Sequence, residues 1–152
     1  MFRFARLGLA TSLLVILALG SVANANAGGR KVFDSSMVPI PSGAPALFGV
    51  LGGGAPWVID EGTATLTAGG RLHVEVQGLV LASNHTNPIH FGRAIVACSG
   101  AAVASTDAVP FSATGDAEVD AIVSLPSPCF APAVFFAGIT GNGDRWFAVT
   151  GL

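Results

Sequence analysis

The feature that most constrains this chain is a strict two-residue alternation on either side of a glycine pair, GTATLTAGGRLHVEVQG over Gly62–Gly78. Ala64 and Leu66 alternate with threonines, and Leu72, Val74 and Val76 alternate with His73, Glu75 and Gln77. A period of two puts one face of each run in an apolar environment and the other in water, which is a hairpin pattern and not a helical one. A two-residue Gly69-Gly70 turn sets Leu66 opposite His73 and mixes the faces. A loop of Ala68-Gly69-Gly70 instead pairs Leu66 with Leu72 and Ala64 with Val74, with Thr65 facing His73 and Thr63 facing Glu75 in solvent. That register is the one expected, with Gly70 in the left-handed conformation that ends such a loop.

The rest of the chain after Trp57 reads the same way. Ile89 and Phe91 alternate with His90 and Gly92, and Ala94–Cys98 is apolar enough to be buried on both faces. Val109–Ser112 carries Pro110, which marks an edge. Ala117, Val119, Ala121, Val123 and Leu125 alternate with Glu118 and Asp120, and Ala133–Ile139 and Arg145–Thr150 flank a Gly141–Asp144 connector as a closing hairpin. Beyond the first residues no helical apolar spacing extends past two turns, and no internal repeat is present. The expected fold is all-β, an antiparallel β-sandwich (immunoglobulin-like or related) of about seven to eight strands in one domain.

Three regions are expected. Residues 1–25 have the layout of a signal peptide, with Arg3 and Arg6 before the apolar Leu7–Leu19 and small residues suited to cleavage near Ala25 or Ala27. The apolar run is shorter than the about 20 residues of a membrane span, so no stable span is expected once it is removed. Retention as an anchor is the competing reading. Residues 26–56, with Pro39, Pro41, Pro45 and Pro56, read as a Pro/Gly-rich N-terminal segment with a short edge strand at Val32-Phe33. Residues 57–152 form the β-sandwich domain.

Removing residues 1–25 from 152 leaves 127, enough for one domain with its own core. Loss of Arg3 and Arg6 from seven basic residues leaves five against nine acidic ones, a net of −4. One lysine and an acidic balance exclude nucleic-acid binding, which relies on clustered cations at phosphates, and disfavour an anionic membrane surface. Charged residues are 11% of the chain, far below the usual figure of about 25%, so few groups are available for acid–base chemistry. Two cysteines in an exported chain imply one disulfide, Cys98–Cys129, and the chain lacks the close cysteine spacing of a thiolate metal site.

Several motifs occur in order: GAPW (Gly54–Trp57), LHVEVQGLVL (Leu72–Leu81), Asn87-Pro88, Cys98, LPSPCFAP (Leu125–Pro132) and AVTG (Ala148–Gly151). In these the chain resembles a group of small secreted bacterial all-β proteins of unassigned function. The resemblance covers nearly all of the mature chain and implies export, a disulfide and an all-β fold, with no activity attached. A fainter similarity is to secreted CHRD-type domains, whose close histidine pair is absent here because His85 and His90 stand five apart.

Candidate chemistry is sparse. A metal shared by His85, His90 and His73 or an acid needs a bend at Asn87-Pro88, because five extended residues span about 16 Å. The other reading is a polar loop, Ser83–Asn87, leading into a strand. Asn84-His85-Thr86 is a glycosylation sequon, read as a chance match in a bacterial chain. Asp116, Glu118 and Asp120, at i, i+2 and i+4, share one strand face about 7 Å apart. They are candidates for calcium or paired-carboxylate hydrolysis, set against a solvated strand face that discourages edge pairing. The chain has no G-x-S-x-G elbow, and both cysteines are expected oxidised. Trp57, Trp146, Phe135 and Phe136 read as core rather than as a ligand groove. An inhibitor of another protein would need an exposed rigid loop, for which Gly43–Gly54 is the candidate, and its composition suggests flexibility.

These features favour a non-catalytic binding or structural role at the cell exterior, with a protein or cell-wall/glycan partner and no cofactor. The alternative is a small metal-dependent hydrolase using His85, His90 and a nearby acid.

Overall fold

The computed structural model describes residues 29–151, so the expected signal segment and both cleavage positions lie outside the described residues. Among the described residues there are eleven strands. They are β1 (Lys31–Pro39), β2 (Trp57–Val58), β3 (Glu61–Thr67), β4 (Arg71–Gln77), β5 (Val80–Leu81), β6 (Phe91–Cys98), β7 (Ala101–Ser105), β8 (Val109–Pro110), β9 (Ala117–Ile122), β10 (Ala133–Thr140) and β11 (Gly143–Thr150). Nine join one antiparallel sheet in the order β7-β6-β10-β11-β1-β3-β4-β9, with β8 also on β6, and β2 pairs with β5 apart from it. The sheet curls until Cα atoms of β9 come within 8 Å of β8 and β6. Its two ends therefore approach each other around one core, a sandwich-like all-β architecture that carries the Cys98–Cys129 disulfide. The strand count exceeds seven or eight because β2 and β5 have two residues each, too few to show any period, and because β7, AAVAS, is largely exposed and has no apolar alternation to mark it, whereas β8 falls within the expected Val109–Ser112 edge.

The β3–β4 hairpin has the register that keeps its faces unmixed. Leu66 pairs with Leu72, Ala64 with Val74, Thr65 with His73 and Thr63 with Glu75. Gly70 has φ +80°, and a Cβ there would collide with the carbonyl of Val123. Glycine is required at that position both by conformation and by space. β9 continues the pattern beside β4, with Val119 opposite Val74 and Asp120 opposite His73. Leu66, Leu72, Val74, Val76 and Val119 are fully buried, while Thr63, Thr65, His73 and Glu75 stay partly open and Glu118 and Asp120 are exposed.

The half built from β6, β10 and β11 differs, because both of its faces are covered. Adjacent residues Phe135 and Phe136 point to opposite sides of β10 and both are fully buried. On one side Phe136 packs edge-on against Phe111 at 5.0 Å, and Trp57 stacks on Phe147 at 3.9 Å. On the other, Phe135 lies between Phe48 and Trp146 at 6.1 and 6.0 Å. A register shift in β10–β11, where Phe136 faces Ala148 and Ala137 faces Trp146, leaves Phe147 as the extra residue of a bulge.

Phe48 belongs to the segment from Ile40 to Gly54, and this segment is the cover over Phe135 and Trp146. It is tied down by backbone hydrogen bonds: Ile40 N–H to Phe147 C=O at 2.7 Å, Gly53 N–H to Trp146 C=O at 3.1 Å, and Ala102 N–H to Phe48 C=O at 3.0 Å. Within it, Ile40 and Val50 are buried.

The stretch before Trp57 is not a lead-in with an edge strand at Val32-Phe33. It contributes a nine-residue strand in the interior of the sheet between β11 and β3, followed by the cover. The strand is hard to read because Ser35 and Ser36 interrupt its apolar alternation; its partners β3 and β11 supply the hydrogen bonds. The alternation at Ile89–Gly92 is also reversed at its end: Phe91 is 54% exposed and Gly92 is buried. The ring of Phe136 fills the place where a Cβ on Gly92 would stand, so the inner side has room for a glycine only.

Candidate functional site

Pairing of β4 with β9 brings three ligand-type side chains together on the outer face of the sheet. His73 stands opposite Asp120 in the ladder, and Glu118 is two residues from Asp120 on the same face. One ligand atom from each of His73, Glu118 and Asp120 falls within 4.8 Å of the others. His73 Nδ1 lies 3.0 Å from Asp120 Oδ1, and since an ionised carboxylate only accepts, the histidine donates. An imidazole nitrogen and two carboxylate oxygens are donors that a divalent cation can use. The same contact is equally a solvent-facing pair, with side chains 38% and 71% exposed, and such pairs contribute about 0–1 kcal/mol.

Asp116, expected with them, lies outside this cluster, although it lines a shallow depression together with Glu118 and Glu75. It sits one residue before β9, where its carboxylate accepts from Gly78 N–H at 3.0 Å, Thr114 Oγ1 at 2.6 Å and Ser112 Oγ at 3.2 Å. Hydrogen bonds from the Thr114 hydroxyl, then from Gly78 N–H, hold this carboxyl below its ordinary value of 3.8. Asp116 thus fastens the end of β4 to the turn at Ser112–Asp116. The expected trio is split because the strand begins only at Ala117.

Nor do His85 and His90 join a cluster. Among the described residues the group of three His, Cys, Asp or Glu with ligand atoms in reach of one another is His73, Glu118 and Asp120. His85 has φ +52° and donates its backbone N–H to Leu81 C=O at 2.9 Å, and both histidines are exposed. Order in this loop comes from Asn87, which is buried. Its Nδ2 donates to the carbonyls of Ile89 and Ser112, both at 2.7 Å, and its Oδ1 accepts from Ile89 N–H at 2.8 Å. Asn84 Oδ1 accepts from the N–H and hydroxyl of Thr86, a local turn of the kind Asn favours.

A groove of about 510 Å³ lies between the end strands, with β7 and β8 on one side and β9 on the other. Val103, Ser105, Asp107 and Val109 form one wall, and Asp120 and Ile122 stand on the other. Ile122 is 75% exposed and Val103 40%. Sequence reasoning missed this groove, although a signal was present. Ile122 is apolar at the position where the outward series Glu118, Asp120 calls for a polar residue. The His73–Asp120 contact had no local signal, since it depends on pairing two strands far apart in sequence.

The fold and these surfaces define a small, disulfide-bonded, antiparallel all-β protein. Among the described residues no helix is long and apolar enough to cross a membrane. No family model, no curated protein and no solved structure matches the chain.

Proposed function

We propose that the protein is exported and acts at the cell exterior as a non-catalytic binding module. The observation that carries this reading is the open groove between two sheet ends, walled by exposed Val103 and Ile122. A concave surface with accessible apolar side chains is a recognition feature, and single-sheet proteins ordinarily blunt such edges. The Cys98–Cys129 bond supports export, since disulfides persist in oxidising compartments. On the groove wall, the Asp120 carboxylate is paired with His73.

The test is to produce the full 152-residue chain in a host with an export pathway, then fractionate and weigh it. Export predicts an extracellular or envelope product, cut near residue 25 or 27, with no free thiol. A full-length cytosolic product with two reduced cysteines overturns the proposal. Saturable retention of the oxidised product on isolated cell envelopes or envelope proteins supports the binding role, and absence of retention contradicts it.

A further inference from the structure

Resting on that binding reading, we infer that the groove seats one extended strand from a partner protein, carrying alternating apolar and basic residues, which adds to the free edge of β9. Val123 N–H donates to Gly70 C=O at 2.9 Å, in the same register that pairs Arg71 with Ile122. In an antiparallel ladder hydrogen-bonded residues alternate, so Ala121, Val119 and Ala117 direct their N–H and C=O toward β4. Glu118, Asp120 and Ile122 then direct theirs away from β4, and Asp120 and Ile122 among them line the groove. β9 is the last strand in the sheet order, so among the described residues these groups have no strand partner. A row of donors and acceptors at β spacing is matched by an extended backbone.

Side chains and charge narrow the occupant. The groove's apolar contacts, Val103 and Ile122, suit apolar residues at alternate positions of an added strand. Asp107 and Asp120 line it and no Lys or Arg does, so the complementary strand is basic. A second copy meets the opposite situation: pairing β9 with its own counterpart sets Glu118 and Asp120 of one chain near the same acids of the other. A sugar chain finds no aromatic ring in the groove to stack on. β7, the other end strand, is capped at Ala102 by Phe48 C=O, which leaves β9 as the edge that accepts the partner.

The experiment uses the oxidised protein and three synthetic nine-residue peptides. One alternates valine with threonine and lysine, the second has the same sequence N-methylated at alternate residues, and the third has glutamate for lysine. The lysine peptide is expected to bind saturably and to slow amide exchange at Glu118, Asp120 and Ile122. The N-methylated and glutamate peptides are expected to bind at least about tenfold more weakly. Ile122→Pro removes an N–H that only the added strand uses, and is expected to weaken the lysine peptide about tenfold while the protein stays folded. Should that variant unfold, Ile122→Lys keeps the backbone, removes the apolar contact and repels the same peptide, with the same loss expected. Equal binding of the N-methylated peptide overturns strand addition, and equal binding of the glutamate peptide overturns the basic partner. No binding of the lysine peptide, or a concentration-dependent dimer that protects β9, overturns the proposal as a whole. In those cases envelope retention still decides the broader binding role separately.

Discussion

The two halves of the sheet are built by different rules. In the β3–β4–β9 half one face is wet, so buried and open residues alternate along β4 and β9: Leu72 then His73, Val119 then Asp120. In the β6–β10–β11 half the Ile40–Gly54 cover seals the second face, and consecutive residues such as Phe135 and Phe136 are both buried. The lesson concerns information. A one-faced strand writes its register into the sequence, because a slip by one residue would drive every apolar side chain into water. A two-faced strand carries no such alternation, so its sequence announces burial without orientation.

The contrast can be broken most forcefully by truncating neighbours. Phe135→Ala and Phe136→Ala should each destabilise the protein by about 3–5 kcal/mol, since each empties a packed aromatic cluster on its own side. Chemical denaturation would measure both, and a large cost at only one of them would mean that one face of β10 is open. In the other half the neighbours should diverge. Leu72→Asp should cost several kcal/mol, at least about 3, by burying an unpaired charge, whereas His73→Ala should change stability by about 0–1 kcal/mol. Alanine is the appropriate probe at His73, since a new acid there would be repelled by Asp120 and Glu118. Similar costs at Leu72 and His73 would contradict the register.

Next in size is the disulfide. Cys98 and Cys129 are 31 residues apart, and the bond ties the end of β6 to the loop before β10. Replacing both by alanine should lower stability by about 3–4 kcal/mol through the entropy of the freed loop. The loss should appear as a shifted denaturation midpoint with the sheet retained.

A smaller effect distinguishes Asp116 from the outer-face acids. Asp116→Ala leaves Gly78 N–H, Thr114 and Ser112 without their acceptor and should cost about 1–2 kcal/mol. Its carboxyl is held below the ordinary 3.8 in the folded protein, so the stability it supplies is complete above that value. That stability is lost as pH falls through the lower folded value. Denaturation between pH 7 and pH 3 should therefore show an acid-side decline that is shallower in Asp116→Asn than in the natural sequence. An unchanged slope would mean that the turn does not depend on the ionised group.

How far the molecule was legible follows from the same contrast. The hairpin register, the edge position of Pro110, the core role of Trp57 and Trp146 and the Cys98–Cys129 pairing were all readable locally. β1 was not, because its serines suppress the pattern and its partners β3 and β11 lie far along the chain. The cover was not readable either, since Pro, Gly and Ala carry no period and its contacts are backbone bonds to Trp146, Phe147 and Ala102. For the candidate site, the sequence placed His73 and Asp120 facing solvent but contained nothing to say that β4 and β9 are neighbours. It also grouped Asp116 with Glu118 and Asp120, where hydroxyls at Ser112 and Thr114 draw it into a turn.

The most direct test of the account is residue-resolved native-state amide hydrogen exchange on the oxidised protein. The account predicts uniform strong protection through Val134–Ala137 and an alternating pattern in β9, with Ala117, Val119 and Ala121 slow and Glu118, Asp120 and Ile122 fast. Uniform protection along β9 would contradict it, because the edge would then already be covered and the two halves of the sheet would be equally closed.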